Sequence, residues 1–170
     1  RRSPGLPLRS TILGRLHISK GLDQDGVKYL ELGIAQGADP GGSRIPNALA
    51  DVAARAGRFS EAADHMVGTL PQQALDVGGE AAVRLVYAAL GDPSLRQSAI
   101  TALQTLVDRL APASWGVKVW SMSWFTQLGA LDNAYKAGEQ LQVQLATQPP
   151  PGQFSWLWTP EMRVFRRDPR

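Results

Sequence analysis

Apolar and polar positions follow a helical period through most of the chain, most clearly over residues 46–70, PNALADVAARAGRFSEAADHMVGTL. Leu49, Val52, Ala53 and Ala56 recur at steps of three and four, and after Gly57-Arg58 so do Phe59, Ala62, Ala63, Met66, Val67 and Leu70. The two stripes predict a helical hairpin, one helix over 47–56 and the other over 60–70. Gly57 suits the left-handed position that ends a helix. Ser60 followed by Glu61 offers a capping oxygen and then a carboxylate near the positive end of the second helix. Ala53, Ala56 and Ala62 are small enough for the two backbones to approach closely. Such a hairpin cannot bury both faces alone and needs neighbours.

The same pattern, weaker or stronger, runs through the rest of the chain. Residues 1–10, RRSPGLPLRS, read as a linker because two prolines and a glycine stand among arginines. Over 11–38, Ile12, Leu13 and Leu16 before Gly21, and Val27, Leu30 and Ile34 after it, predict a weaker hairpin; Ile12, Ile18 and the internal Gly14 also suit a strand. A third hairpin spans 80–110. Its first stripe is Ala82, Leu85, Val86, Ala89 and Leu90, and its second is Leu95, Ala99, Ala102, Leu103, Leu106 and Leu110. Asp92-Pro93 between them is an N-cap followed by a proline at the first helical position. A fourth spans 115–146, with Val117, Trp120, Trp124, Phe125 and Leu128 before Gly129 and Leu131, Ala134, Tyr135, Leu141 and Leu145 after it. QPPPG at 148–152 cannot be helix, and the tail to 170 carries Phe154, Trp156, Leu157, Trp158 and Phe165, enough apolar surface to dock on the last hairpin.

Gly21, Gly57, Gly91 and Gly129 lie 36, 34 and 38 residues apart, each between two helical stripes. That recurrence is the spacing of tetratricopeptide repeats. Leu49, Ala50, Gly57, Phe59 and Ala62 stand where that pattern has Leu, a small residue, Gly, an aromatic and Ala; Gly129, Leu131 and Ala134 repeat the offsets in the fourth unit. The third unit has Gly91 but Arg96 in place of Ala, and the first has few matches. The chain therefore resembles an all-α, right-handed tetratricopeptide-like solenoid of about four hairpins over 11–148, with a Pro-rich turn and capping tail over 149–170. The tail WLWTPEMRVFRRDPR, with Pro160, Phe165, Arg166, Asp168, Pro169 and Arg170, resembles the closing element after degenerate repeats in bacterial regulators. These are winged-helix transcription regulators of the CadC and ToxR type and adenylate-cyclase-like or kinase signalling proteins. The resemblance implies a regulatory or interaction module and leaves the effector domain open.

Composition narrows the function classes. A content of 44% hydrophobic and 19% charged residues is ordinary for a globular domain. The chain has no cysteine, which excludes disulfides and thiolate metal sites. No run of about 18 apolar residues exists, so no membrane span is predicted. Residues 1–20 hold Arg1, Arg2, Arg9, Arg15 and Lys20 with no acid, while 21–160 hold 9 basic and 13 acidic residues. The cations gather at the two ends, which reads as solvated termini, and direct nucleic-acid binding is not expected. The start at Arg1-Arg2 without methionine reads as a fragment of a longer protein, cytoplasmic, or periplasmic if its parent is membrane-bound.

Projecting the repeat offsets puts Arg15, Asn47, Asp51, Arg55, Ser123 and Gln127 on the concave face of the solenoid, with Ala81, Leu85, Ala88 and Ala89 as an apolar floor. Such a groove suits a short peptide, a protein partner or a small effector with an acidic group; ordinary solvated helix positions are the alternative. The carboxylate clamp of chaperone-binding repeats is not matched, since Asn47, Asp51, Ala81 and Ala82 hold its positions. Trp120, Trp124, Trp156 and Trp158 form a second candidate surface, either core packing or the interface of a homodimer. His17 and His65 are too few and too far apart for a zinc site. Asp64-His65 beside Glu61 reads as a surface network rather than a general base. ADPGGS lacks the spacing and lysine of a phosphate loop. A non-enzymatic protein without cofactor is the reading; self-association and a helical-repeat enzyme are the alternatives.

Overall fold

A computed structural model describes residues 6–42, 44–110, 115–147 and 162–169. Among these residues the secondary structure is all helical, with no strand. The chain divides into two compact units, 1–69 and 70–170.

The first unit consists of α1 (Leu6–Ser19), α2 (Asp23–Ala35), α3 (Arg44–Arg55) and α4 (Phe59–Val67), paired as two hairpins. The segment expected to be a linker over 1–10 is helical from Leu6, where Pro7 falls in the first turn and its missing N–H interrupts no hydrogen bond. α3 likewise begins before the expected boundary and takes Pro46 into its first turn. Both hairpins close through one turn. The amide of Gly21 donates to the Ile18 carbonyl (2.9 Å) and that of Leu22 to the His17 carbonyl (2.9 Å); Gly57 and Arg58 donate in the same way to Ala54 and Ala53 (3.0 and 2.8 Å). Gly21 and Gly57 are left-handed, at φ 78° and 73°, and the residues after them coincide at φ −90°, ψ 62° for Leu22 and φ −89°, ψ 63° for Arg58. This is the Schellman arrangement, and the residue that completes it also starts the next helix. Hence Arg58, not Ser60, is the N-cap of α4, and no side-chain oxygen caps that helix.

The faces in contact differ between the two hairpins. α3 and α4 pack together, and each buries two or more alanines: Ala48, Ala50 and Ala53 on α3, Ala62 and Ala63 on α4. α1 and α2 meet through glycine. A Cβ on Gly14 would lie 2.7 Å from Leu30 Cδ2, and one on Gly26 would lie 2.9 Å from the Gly14 carbonyl oxygen. Ile18 and Leu30 then join Ile45 and Ala48 of α3 in the core, with Leu49 and Val52 packed against them. Of the stripe expected for this hairpin, Leu30 is buried, but Ile12, Leu16 and Ile34 are exposed. Apolar residues surround α1 on every side, so its own pattern does not select the inward face.

The second unit contains α5 (Gln72–Asp76), α6 (Gly79–Gly91), α7 (Arg96–Arg109), α8 (Trp115–Gln127), α9 (Leu131–Thr147) and α10 (Arg163–Arg167), with a 3-10 turn over Pro93–Leu95. α5 lies between the segments expected as the second and third hairpins, 46–70 and 80–110. Asp92 caps as expected: its Oδ1 accepts from the Ser94 amide at 2.9 Å, with Pro93 next in the chain. Hydrogen bonding from the Ser94 side chain, and then from its amide, holds the Asp92 carboxyl below the usual carboxylate range. Gly91 departs from its expected role as a turn glycine. It is the last residue of α6, and Asp92, extended at φ −130°, ψ 100°, makes the break. Gly129 does turn at φ 72°, with amides 129 and 130 donating to Thr126 and Phe125 as in the first unit. The core holds Val83, Val86, Leu103, Leu106, Val117, Phe125, Leu128 and Met162.

Candidate functional site

In the first unit an open cleft of about 610 Å³ lies between α2 and the end of α3 with the turn after it. α2 contributes Asp23, Gln24, Val27, Lys28 and Glu31, a set spaced as one helical face. α3 and its turn contribute Val52, Arg55, Ala56 and Arg58. The volume falls within the roughly 300–1,000 Å³ of small-ligand sites.

Charge is arranged in fixed pairs around an apolar floor of Val27, Val52 and Ala56. Arg55 grips Asp23 with two of its nitrogens, Nε to Oδ2 at 3.0 Å and Nη2 to Oδ1 at 2.6 Å, and Nη2 also donates to the Ile18 carbonyl at 3.2 Å. That third bond adds a charged donor to the Ile18 carbonyl, which already accepts from the Gly21 amide, at the negative end of α1, and Asp23 sits at the positive end of α2. The Arg55 and Asp23 side chains are 25% and 28% exposed, so the pair is partly shielded from water. Arg58 holds Glu61 through Nη1 at 2.7 and 2.8 Å. Lys28 is only loosely drawn to Asp25, at 3.8 Å. Lys28 and Glu31 are exposed, four and seven residues beyond Gln24 on the same face.

Arg55 thus belongs to the cleft, but as a strut between helices rather than an open cation for a ligand. Asn47 is half-buried; its Oδ1 is out of water and has no hydrogen-bond partner among the described residues. Arg15 and Asp51 are half-buried on α1 and α3, and each already has a polar or charged partner. Ser123 and Gln127 lie in the second unit, joined by a hydrogen bond from Gln127 Nε2 to Ser123 Oγ at 3.2 Å. Of the anticipated apolar floor, Ala89 is buried and Leu85 half-buried, while Ala81 and Ala88 are exposed. Trp124 is buried, and its ring lies 6.4 Å from that of the half-buried Trp120 at 48°. Trp156 and Trp158 lie outside the described residues, as does most of the expected docking tail; within that tail Met162 is fully buried. His65 Nε2 stands 3.8 Å from Glu61 Oε1 on α4, in line with a surface network.

Val27, Lys28 and Glu31 are cleft residues that sequence reasoning missed. Their spacing on α2 was visible; that α3 ends opposite them was not. Among the described residues no three His, Asp or Glu side chains are grouped to hold a metal, and no helix is long and apolar enough to cross a membrane. No protein-family model, curated protein or solved structure matches the chain.

Proposed function

We propose that the chain is a non-catalytic binding module that takes a short peptide segment of a protein partner, or a small effector, in the cleft between α2 and α3. The observation that carries this is the cleft's make-up: an apolar floor walled by side chains already locked to each other, with Lys28 and Glu31 open at its rim. Preorganised walls reduce the ordering cost of binding, and one cation beside one anion suits a ligand with an apolar anchor and charges of both signs. This revises the expectation that Arg55 would flank the groove for a ligand's acidic group, because Asp23 neutralises Arg55.

Support for a tetratricopeptide-like architecture comes from one turn used at Gly21, Gly57 and Gly129, with a small buried residue five positions later each time, Gly26, Ala62 and Ala134. Membership of a bacterial signalling or transcription regulator rests on the likeness of residues 156–170 to the closing element of such proteins. The site is tested by selecting peptides from a displayed library on the immobilised chain and titrating the best one calorimetrically. Ala56 is exposed on the cleft floor, so Ala56→Trp fills the space without touching the core. It should weaken binding at least about tenfold, equivalent to about 1.4 kcal/mol. Equal affinity for wild type and Ala56→Trp removes the cleft from consideration. Arg55→Glu is the poorer probe, because it breaks a structural ion pair as well as altering the cleft.

A further inference from the structure

The first hairpin wears its large aliphatic side chains on the outside. Apart from Ile18 and Leu30, the faces that α1 and α2 turn inward carry Ser10, Thr11, Gly14, Gly26 and Gly33. Leu8, Ile12, Leu16, Leu22, Leu32 and Ile34 are 36% to 55% exposed, and the one other exposed large hydrophobic among the described residues is Val164. Three of them, Leu8, Ile12 and Leu16, stand four residues apart and form a single ridge along α1, about 12 Å long at 1.5 Å per residue. Helical spacing sets the exposed Arg9 along one edge of that ridge, and Lys20, in the turn just past α1, is exposed beyond Leu16.

Close backbone packing through small residues, with aliphatic side chains outside, is the arrangement helix pairs use where the surroundings are apolar. An aliphatic row edged by Lys and Arg is the pattern of a helix lying in a lipid headgroup layer. We propose that the outer face of α1, Leu8, Ile12 and Leu16 with Arg9 and Lys20, docks along an anionic lipid surface as a peripheral contact. Charge selects this occupant. Residues 1–20 hold five cations and no acid, so a two-fold pairing of α1 with a second copy would set like charges against each other. A surface of uniform negative sign meets the exposed Arg9 and Lys20 without needing a matched partner for each. The contact is separate from the α2–α3 cleft and stands or falls independently of it.

The test is co-sedimentation of the full chain with vesicles of phosphatidylcholine alone and of phosphatidylcholine mixed with phosphatidylglycerol. Binding is expected to the mixed vesicles only, and to decline as salt is raised. Leu16→Glu, and separately Arg9→Glu with Lys20→Glu, should each weaken it about tenfold or more with the helical circular dichroism unchanged, since all three side chains are exposed. Should Leu16→Glu lose its helical signal, Leu8→Gln in the first turn of α1 reads the same ridge. The proposal is overturned if folded wild type stays in the supernatant with both vesicle types, binds neutral vesicles equally, or binds no less after Leu16→Glu and Leu8→Gln. It is also overturned if the chain dimerises without lipid and Leu16→Glu disperses the dimer. Capture of an acidic amphipathic peptide without any vesicle binding would likewise assign the ridge to a protein partner instead.

Discussion

Arg55 reads in the sequence as a cation on a ligand-facing helix; in the fold its guanidinium ties the end of α1 to the start of α2. Lysine can keep the charge but not the fork that reaches Asp23 with two nitrogens, so Arg55→Lys should behave more like Arg55→Ala than like wild type. A double-mutant cycle with Asp23→Ala, followed by urea unfolding, should give a coupling of about 1 kcal/mol, the upper end for a partly exposed pair. Asp92 titrates in a predictable direction. Its folded carboxyl is held low by Ser94, so the cap contributes stability above the ordinary carboxylate range and loses it as pH falls through the lowered value. The gap in thermal midpoint between wild type and Asp92→Ala should therefore be full at neutral pH and close in strong acid. Asp92→Asn should show a smaller gap with less pH dependence.

Glycine does two different jobs in the helical elements, and substitution separates them. At Gly21 and Gly57 the space for a methyl group is open, but the backbone is left-handed. Alanine there should cost about 1–2 kcal/mol from conformation alone. Gly14 and Gly26 sit inside helices, and their difficulty is the neighbouring helix at 2.7 and 2.9 Å. Overpacking there should cost about 1–3 kcal/mol and push α1 from α2. Gly91, exposed at the end of α6, lacks the left-handed backbone of the turn glycines, and Gly91→Ala should hold or raise the unfolding midpoint. The turns were legible in the sequence because a Gly between two stripes is a local signal. The glycine-lined contact was not, because Gly14 reads as a helix breaker until Leu30 is seen against it.

At the scale of the whole molecule, the two compact units each carry their own core. The first is built largely of alanine and glycine contacts, which bury little apolar area and give it a small hydrophobic stabilisation. A fragment of residues 1–69 should keep its helical circular dichroism and melt at a lower temperature than the intact chain, and a coil spectrum would refute that independence. The all-helical character, the hairpin turns and the Asp92 cap could be read from the chain, since periodicity, left-handed glycine and capping act over a few neighbouring residues. Burial acts across the fold. Which side of α1 faces inward depends on Leu30 and Ile45, brought to it by α2 and α3. The cleft depends on Val27 and Val52 lining one space, which no local pattern relates. Long-range packing tied Arg55 to Asp23 and the Ile18 carbonyl and left Leu8, Ile12 and Leu16 in solvent, because a helix with apolar residues on every side can bury only the face its neighbours cover.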